Sequence, residues 1–78
     1  MIRAYVYDEN ANERFIMEWE GRFQHYMMKI LTSFMRSEID IFGIKELFAS
    51  VHDRNGECFA FSLDGAREKI NYAYDREV

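Results

Sequence analysis

The chain has no proline, one cysteine, four glycines and fewer basic than acidic residues. Each shortage excludes something. A single thiol, Cys58, closes no intramolecular disulfide, and small secreted domains usually carry several, so a reducing, cytoplasmic setting is expected. The first residues, MIRAYVYDEN, lack the long apolar core of a signal peptide. No apolar run approaches the roughly 20 residues a membrane span needs, so no membrane partner is expected. Ten Lys and Arg stand against fourteen Asp and Glu, a net charge of -4. That balance disfavours a phosphate backbone, which wants clustered cations. Gly21, Gly43, Gly56 and Gly65 are isolated from one another, so there is no glycine-rich phosphate loop. With no proline and no low-complexity stretch, nothing marks a linker, and residues 1–78 read as one domain.

What the chain has in plenty is apolar and aromatic side chains, 49% and 17% of it. That supply rules out disorder. A chain this short buries only about 60% of its unfolded surface, so some of this apolar material is expected to be left over for a partner.

The organising stretch is 6–21, VYDENANERFIMEWEG, which returns in weaker form over 51–65 as VHDRNGECFAFSLDG. With one residue removed from the first loop, Asp8 aligns with Asp53, Asn10 with Asn55, Glu13 with Glu57, Phe15 with Phe59 and Gly21 with Gly65. This predicts one hairpin-plus-helix unit used twice, in half-repeats over about 1–36 and 45–78 with a connector over 37–44.

Ile2, Ala4 and Val6 alternate with Arg3, Tyr5 and Tyr7, which predicts a strand. Asp8 to Asn12 is a turn, since Asp and Asn bond back to nearby backbone. Glu13 to Trp19 alternates again, with Phe15, Met17 and Trp19 on the apolar side. After Gly21, the residues Phe23, Tyr26, Met27, Ile30, Leu31, Phe34 and Met35 recur at helical spacing and predict a core-facing helix over about 22–36. The connector is too apolar for a free linker and is expected to pack down, with Gly43 supplying a bend. Glu46 to His52 and Glu57 to Leu63 read as a second hairpin about an Asn-Gly turn. Asp64 then stands as a helix N-cap before Ala66, Ile70, Ala73 and Tyr74. The expected fold class is α+β, in the order ββαββα. It forms a four-stranded antiparallel sheet with two helices packed on one face and an internal pseudo-repeat.

Alternation puts Arg3, Tyr5, Tyr7, Arg14, Ile16, Phe48, His52, Cys58 and Ala60 on the other face. A solvated sheet face is cleanly polar, whereas this one carries rings and aliphatics. Three uses compete for it: a homodimer seam, a docking site for a different protein, or core covered by the connector. Tyr5, Tyr7 and Phe48 beside Arg3 and Arg14 also suit stacking on single-stranded bases. The acidic balance and the absence of a Gly-aromatic signature run count against that use.

Other chemistry finds little support. Asp8, Asn10 and Asn12 match the start of a calcium loop, but Glu13 stands where the bend needs Gly and Trp19 where a bidentate Glu belongs. His25, His52 and Cys58 are too scattered for a metal signature. His52 and Cys58 fall on one hairpin face, yet no orienting third group accompanies them. The acidic residues are spread among loops and element ends, without the spacing of an acid-base pair and without the dense row of a DNA mimic.

The sequence therefore predicts a non-enzymatic binding module without cofactor or metal. It would be a small acidic protein that dimerises and docks onto another protein as an inhibitor or regulator, in the manner of small phage or mobile-element inhibitors. The alternative is a nucleic-acid-binding regulator using the same aromatic and arginine face.

Overall fold

A computed structural model describes residues 1–22, 24–65 and 67–71, with backbone alone at 57, 58 and 67–71. The elements are β1 (Ile2–Asp8), β2 (Glu13–Trp19), α1 (His25–Phe42), β3 (Glu46–Asp53), β4 (Gly56–Asp64) and β5 (Arg67–Asn71). The strands form one antiparallel sheet in the order β2-β1-β3-β4-β5. The class is α+β, with the four expected strands in place and a fifth added at the end.

The alternation read from the sequence sets the layers. Ile2, Ala4 and Val6, Leu47, Ala49 and Val51, and Phe59, Phe61 and Leu63 all turn to one side and are buried there. Leu31 and Met35 of α1 close that core from above. Among the described residues no element covers the opposite side.

The first turn behaves as its composition predicts. The Asp8 carboxylate accepts the amides of Asn10 at 2.9 Å and Asn12 at 3.0 Å. The Ala11 amide donates to the Asp8 carbonyl at 3.0 Å, and Ala11 sits at φ 64. A side chain in the left-handed region costs about 1–2 kcal/mol, while glycine loses about 0.4–1 kcal/mol more chain entropy on folding. Ala11→Gly is therefore expected to stabilise the domain by roughly 0.5–1 kcal/mol, read as a higher urea midpoint at unchanged slope.

The helix runs six residues beyond the expected Arg36, to Phe42, and absorbs most of the connector. Ile39 carries the buried face one turn past Met35. Gly43, at φ 64, ends the helix, and its amide and that of Ile44 both reach the Ile39 carbonyl. A left-handed C-terminal residue is the usual seat of glycine, so Gly43 supplies the expected bend.

Two expectations need correction. The second unit does not follow its hairpin with a helix, since Arg67–Asn71 is a strand paired to β4. The chain reverses at Gly65 (φ 59), with Asp64 opposite Arg67 and Ser62 opposite Lys69. The nine-residue β4 offers a free ladder, and a local hairpin satisfies it at little entropic cost. Four apolar positions over nine residues were too thin a stripe to outweigh that. Ala66, Ala73 and Tyr74 lie outside the described residues, as does Phe23. The repeat of hairpin plus helix accordingly stops at the hairpins.

The second correction concerns α1. Met27, Leu31 and Met35 face the sheet, but Tyr26, Ile30 and Phe34, expected beside them in the core, are 51%, 37% and 56% exposed. Each precedes a buried residue and is turned about 100° away from it. A sheet under one helix covers only part of so wide a stripe.

Candidate functional site

The uncovered sheet face is built from the odd positions of β1 and the even positions of its neighbours. Tyr5 lies between Ile16 on β2 and Ser50 on β3. Tyr7 lies opposite Phe48, and Arg3 lies between Glu18 and His52. The structure thus brings Arg3, Tyr5, Tyr7, Ile16, Phe48 and His52 together on one surface. Phe48 is 42% exposed and Ile16 43%, whereas Tyr5 and Tyr7 are half-buried among their neighbours. Ala60 is half-buried opposite Ser50, and the side chain of Cys58 lies outside the described residues, with its expected approach to His52.

A hydrogen-bonded chain stiffens one end of this face. The Arg3 guanidinium donates from Nε to Glu18 at 2.8 Å and from a terminal nitrogen to the same oxygen. It also donates to the Tyr5 hydroxyl at 3.2 Å. The Tyr5 hydroxyl and the Glu18 carboxylate together push Arg3 above its ordinary pKa, so it stays a cation throughout. The Tyr5 ring meets the His52 ring edge-on at 5.4 Å, and His52 Nε2 shares a 2.8 Å hydrogen bond with the Ser50 hydroxyl. Rings held by such contacts lose little freedom when a partner packs on them.

Arg14 departs from the expected arrangement. The β1–β2 register steps from Val6↔Phe15 to Tyr7↔Glu13, a β-bulge that leaves Arg14 without a partner across the ladder. The extra residue turns Arg14 to the helix side. There its guanidinium lies 3.2 Å from Glu38 and 3.9 Å from Asp8, and 5.0 Å from the centre of the Phe42 ring. Glu13, not Arg14, stands beside Tyr7 on the open face. Strict alternation misses this because one inserted residue inverts everything before it.

Asp8 anchors the same corner and is itself buried, 7% exposed. The Asn12 amide, then the Asn10 amide and nearby Arg14, hold its carboxyl below the usual carboxylate range against the effect of burial. A depressed folded-state pKa contributes stability that is complete above the unfolded value of about 4 and is lost as pH falls through the folded value. Asp8→Asn keeps an acceptor and removes the charge. Urea titrations are expected to show the variant weaker at pH 7, with the gap to the parent closing below about pH 4.

Sequence reasoning missed three features that belong to the surface. Glu18 neutralises Arg3, and Ser62 is buried on the open side opposite Phe48. The third is the apolar strip of α1, extended toward the C-terminus by Ile41 at 72% exposure. The connector, one of the three expected occupants of the sheet face, does not cover it, since its first part belongs to α1 on the other side. Among the described residues no group of three His, Cys, Asp or Glu side chains is placed to hold a metal ion. No helix among them is long and apolar enough to cross a membrane.

No protein-family model, no curated protein and no solved structure matches this chain.

Proposed function

We propose that the chain is a non-enzymatic protein-binding module that docks another protein on its open sheet face, as an inhibitor or regulator of that partner. The observation that supports this most directly is the one-sided sheet. Its helix-free face carries Tyr5, Tyr7, Ile16 and Phe48 in adjacent register, where an antiparallel sheet in water would carry polar residues. Aromatic anchors at the centre with a polar rim of Arg3, Glu18, His52 and Glu13 are the composition of a protein interface.

The nucleic-acid alternative loses support from two placements. Arg14 is turned to the helix side against Glu38, and Arg3 is paired with Glu18. A face with its cations engaged or absent has little to exchange for the counterions of a phosphate backbone. The test is capture from nuclease-treated cell extract with the immobilised chain. The reading expects a protein retained by the parent and released by substitutions at Tyr5 and Phe48. Capture that disappears with nuclease treatment, or that ignores those substitutions, overturns it.

A further inference from the structure

The two hairpins of the sheet match pair for pair. Ala4↔Met17, Tyr5↔Ile16, Val6↔Phe15 and Tyr7↔Glu13 are answered by Ala49↔Phe61, Ser50↔Ala60, Val51↔Phe59 and His52↔Glu57, with a register shift at the same step of each. β1 and β3 pair symmetrically about Tyr5↔Ser50, since Ala4 meets Val51 and Val6 meets Ala49. The outer edges of β2 and β4 are therefore equivalent, yet the chain treats them differently. β5 fills the edge of β4. Among the described residues nothing pairs with the outer edge of β2.

That edge is ready for a strand. The Asp8 amide donates to the Asn12 carbonyl, so the even residues of β1 bond to β2. Ile16 and Glu18 then turn their amides and carbonyls outward. β2 holds neither proline nor lysine, two usual guards of an edge, and its bulge at Arg14 leaves 15–19 clear. On the helix side Phe15, Met17 and Trp19 are only partly buried. Their counterparts Phe59, Phe61 and Leu63 are buried, under α1 and on the strand that β5 flanks.

We infer that β2 accepts an extended segment of another protein as a sixth strand, one with basic residues at alternate positions and an apolar residue beside them. β5 is the pattern for it. Arg67 stands opposite Asp64, Lys69 opposite Ser62 and Ile70 opposite Phe61. The equivalent positions on the β2 edge are Glu20, Glu18 and Met17, so the vacant edge is the more acidic of the two. Glu18 and Glu20 are exposed. Arg3 takes only Oε2 of Glu18, which leaves Oε1 without a hydrogen bond among the described residues. Arg22, two residues past Glu20, is the segment's other cation. A second copy's own β2 matches this edge poorly. It brings Glu13, Glu18 and, just past its end, Glu20, with an arginine already held by Glu38. The contact is made by the edge and not by the rings of the open face, so it goes beyond the docking proposed above.

Trp19, the chain's one tryptophan, reports on this edge. The full chain is titrated with a capped synthetic peptide of residues 65–72, GAREKINY, which has no tryptophan. A saturable change in Trp19 emission is expected, with a dissociation constant on the order of 0.1 mM. Met17→Lys sets a charge on the helix side of the edge and is expected to weaken binding by about tenfold or more. Glu18→Lys with Glu20→Lys turns two attractive cross-strand pairs repulsive and is expected to weaken it about tenfold. A peptide with Glu in place of Arg67 and Lys69 is expected to recover most of that loss on the lysine variant and to bind the parent poorly. Both glutamates are exposed, so this swap keeps the test decisive if circular dichroism shows Met17→Lys misfolded. No Trp19 response at about 2 mM peptide overturns the inference. So does binding that ignores both sets of substitutions, the sign of a peptide exchanging with β5 on β4. Oligomers of the parent that dissolve on Met17→Lys also overturn it, since a second copy then fills the edge. Capture through Tyr5 and Phe48 is read separately, so failure of one reading shows apart from failure of the other.

Discussion

Phe61→Ala is expected to lose a large share of the fold's stability, while Phe48→Ala barely changes it. The two residues are of one type on neighbouring strands and differ in the face they occupy. Phe61 is 2% exposed, lies opposite Ala49 and stacks with Phe59 at 6.1 Å between ring centres. Truncating a buried Phe costs about 3–5 kcal/mol, from lost transfer energy and the cavity left behind. At roughly 0.05–0.15 kcal/mol per residue, a domain of this length holds about 4–12 kcal/mol in all. Phe48, on the open face, forfeits only partial burial, and its loss is expected to cost under about 1 kcal/mol. Urea unfolding followed by circular dichroism reads both. A larger cost for Phe48 than for Phe61 would mean that the helix lies on the other face of the sheet.

Tyr5→Glu combined with Phe48→Glu is expected to abolish partner capture while leaving a folded, cooperatively melting protein. Phe48 lies one pleat along β3 from Ser50, the residue opposite Tyr5, so the two rings form a diagonal pair across adjacent strands. Central aromatic anchors cost about 2 kcal/mol or more each on truncation, and a carboxylate in a desolvated seam costs further. Together they correspond to an affinity loss of at least about 100-fold, enough to empty a pull-down. Circular dichroism and a urea midpoint on the same preparation separate loss of contact from loss of fold. Retained capture by a folded double variant would move the docking surface away from the sheet.

The strands were legible in the sequence because one face of each is buried, and burial on one face writes itself as alternation. Ile2, Ala4 and Val6 and their counterparts on β3 and β4 are the clearest case. The first turn was legible because Asp8 and Asn12 bond locally, with no need of the rest of the chain. The features that escaped depend on what the element meets after folding. Whether Tyr26 or Met27 faces the core depends on how the helix lies on the sheet, and both fit the same period. The bulge at Arg14 is paid back by Glu38, twenty-four positions away, and no local pattern announces it. β5 escaped because its reason for forming is the open ladder of β4, while its own five residues, REKIN, are a poor strand sequence. On the open face, the rings were found by alternation, but the pairing of Arg3 with Glu18 required the register.

The position of β1 inside the sheet has a bearing on how the molecule is made. Its left-hand neighbour follows it at once, but its right-hand neighbour is β3, and the Arg3↔His52 contact joins residues on either side of the whole helix. On a ribosome the first hairpin and α1 emerge before β3 exists, with Ala4 and Val6 still lacking Val51 and Ala49. Closing that long loop is the entropically costly contact of the fold, and the core it joins is complete only when Phe59, Phe61 and Leu63 of β4 are added as well.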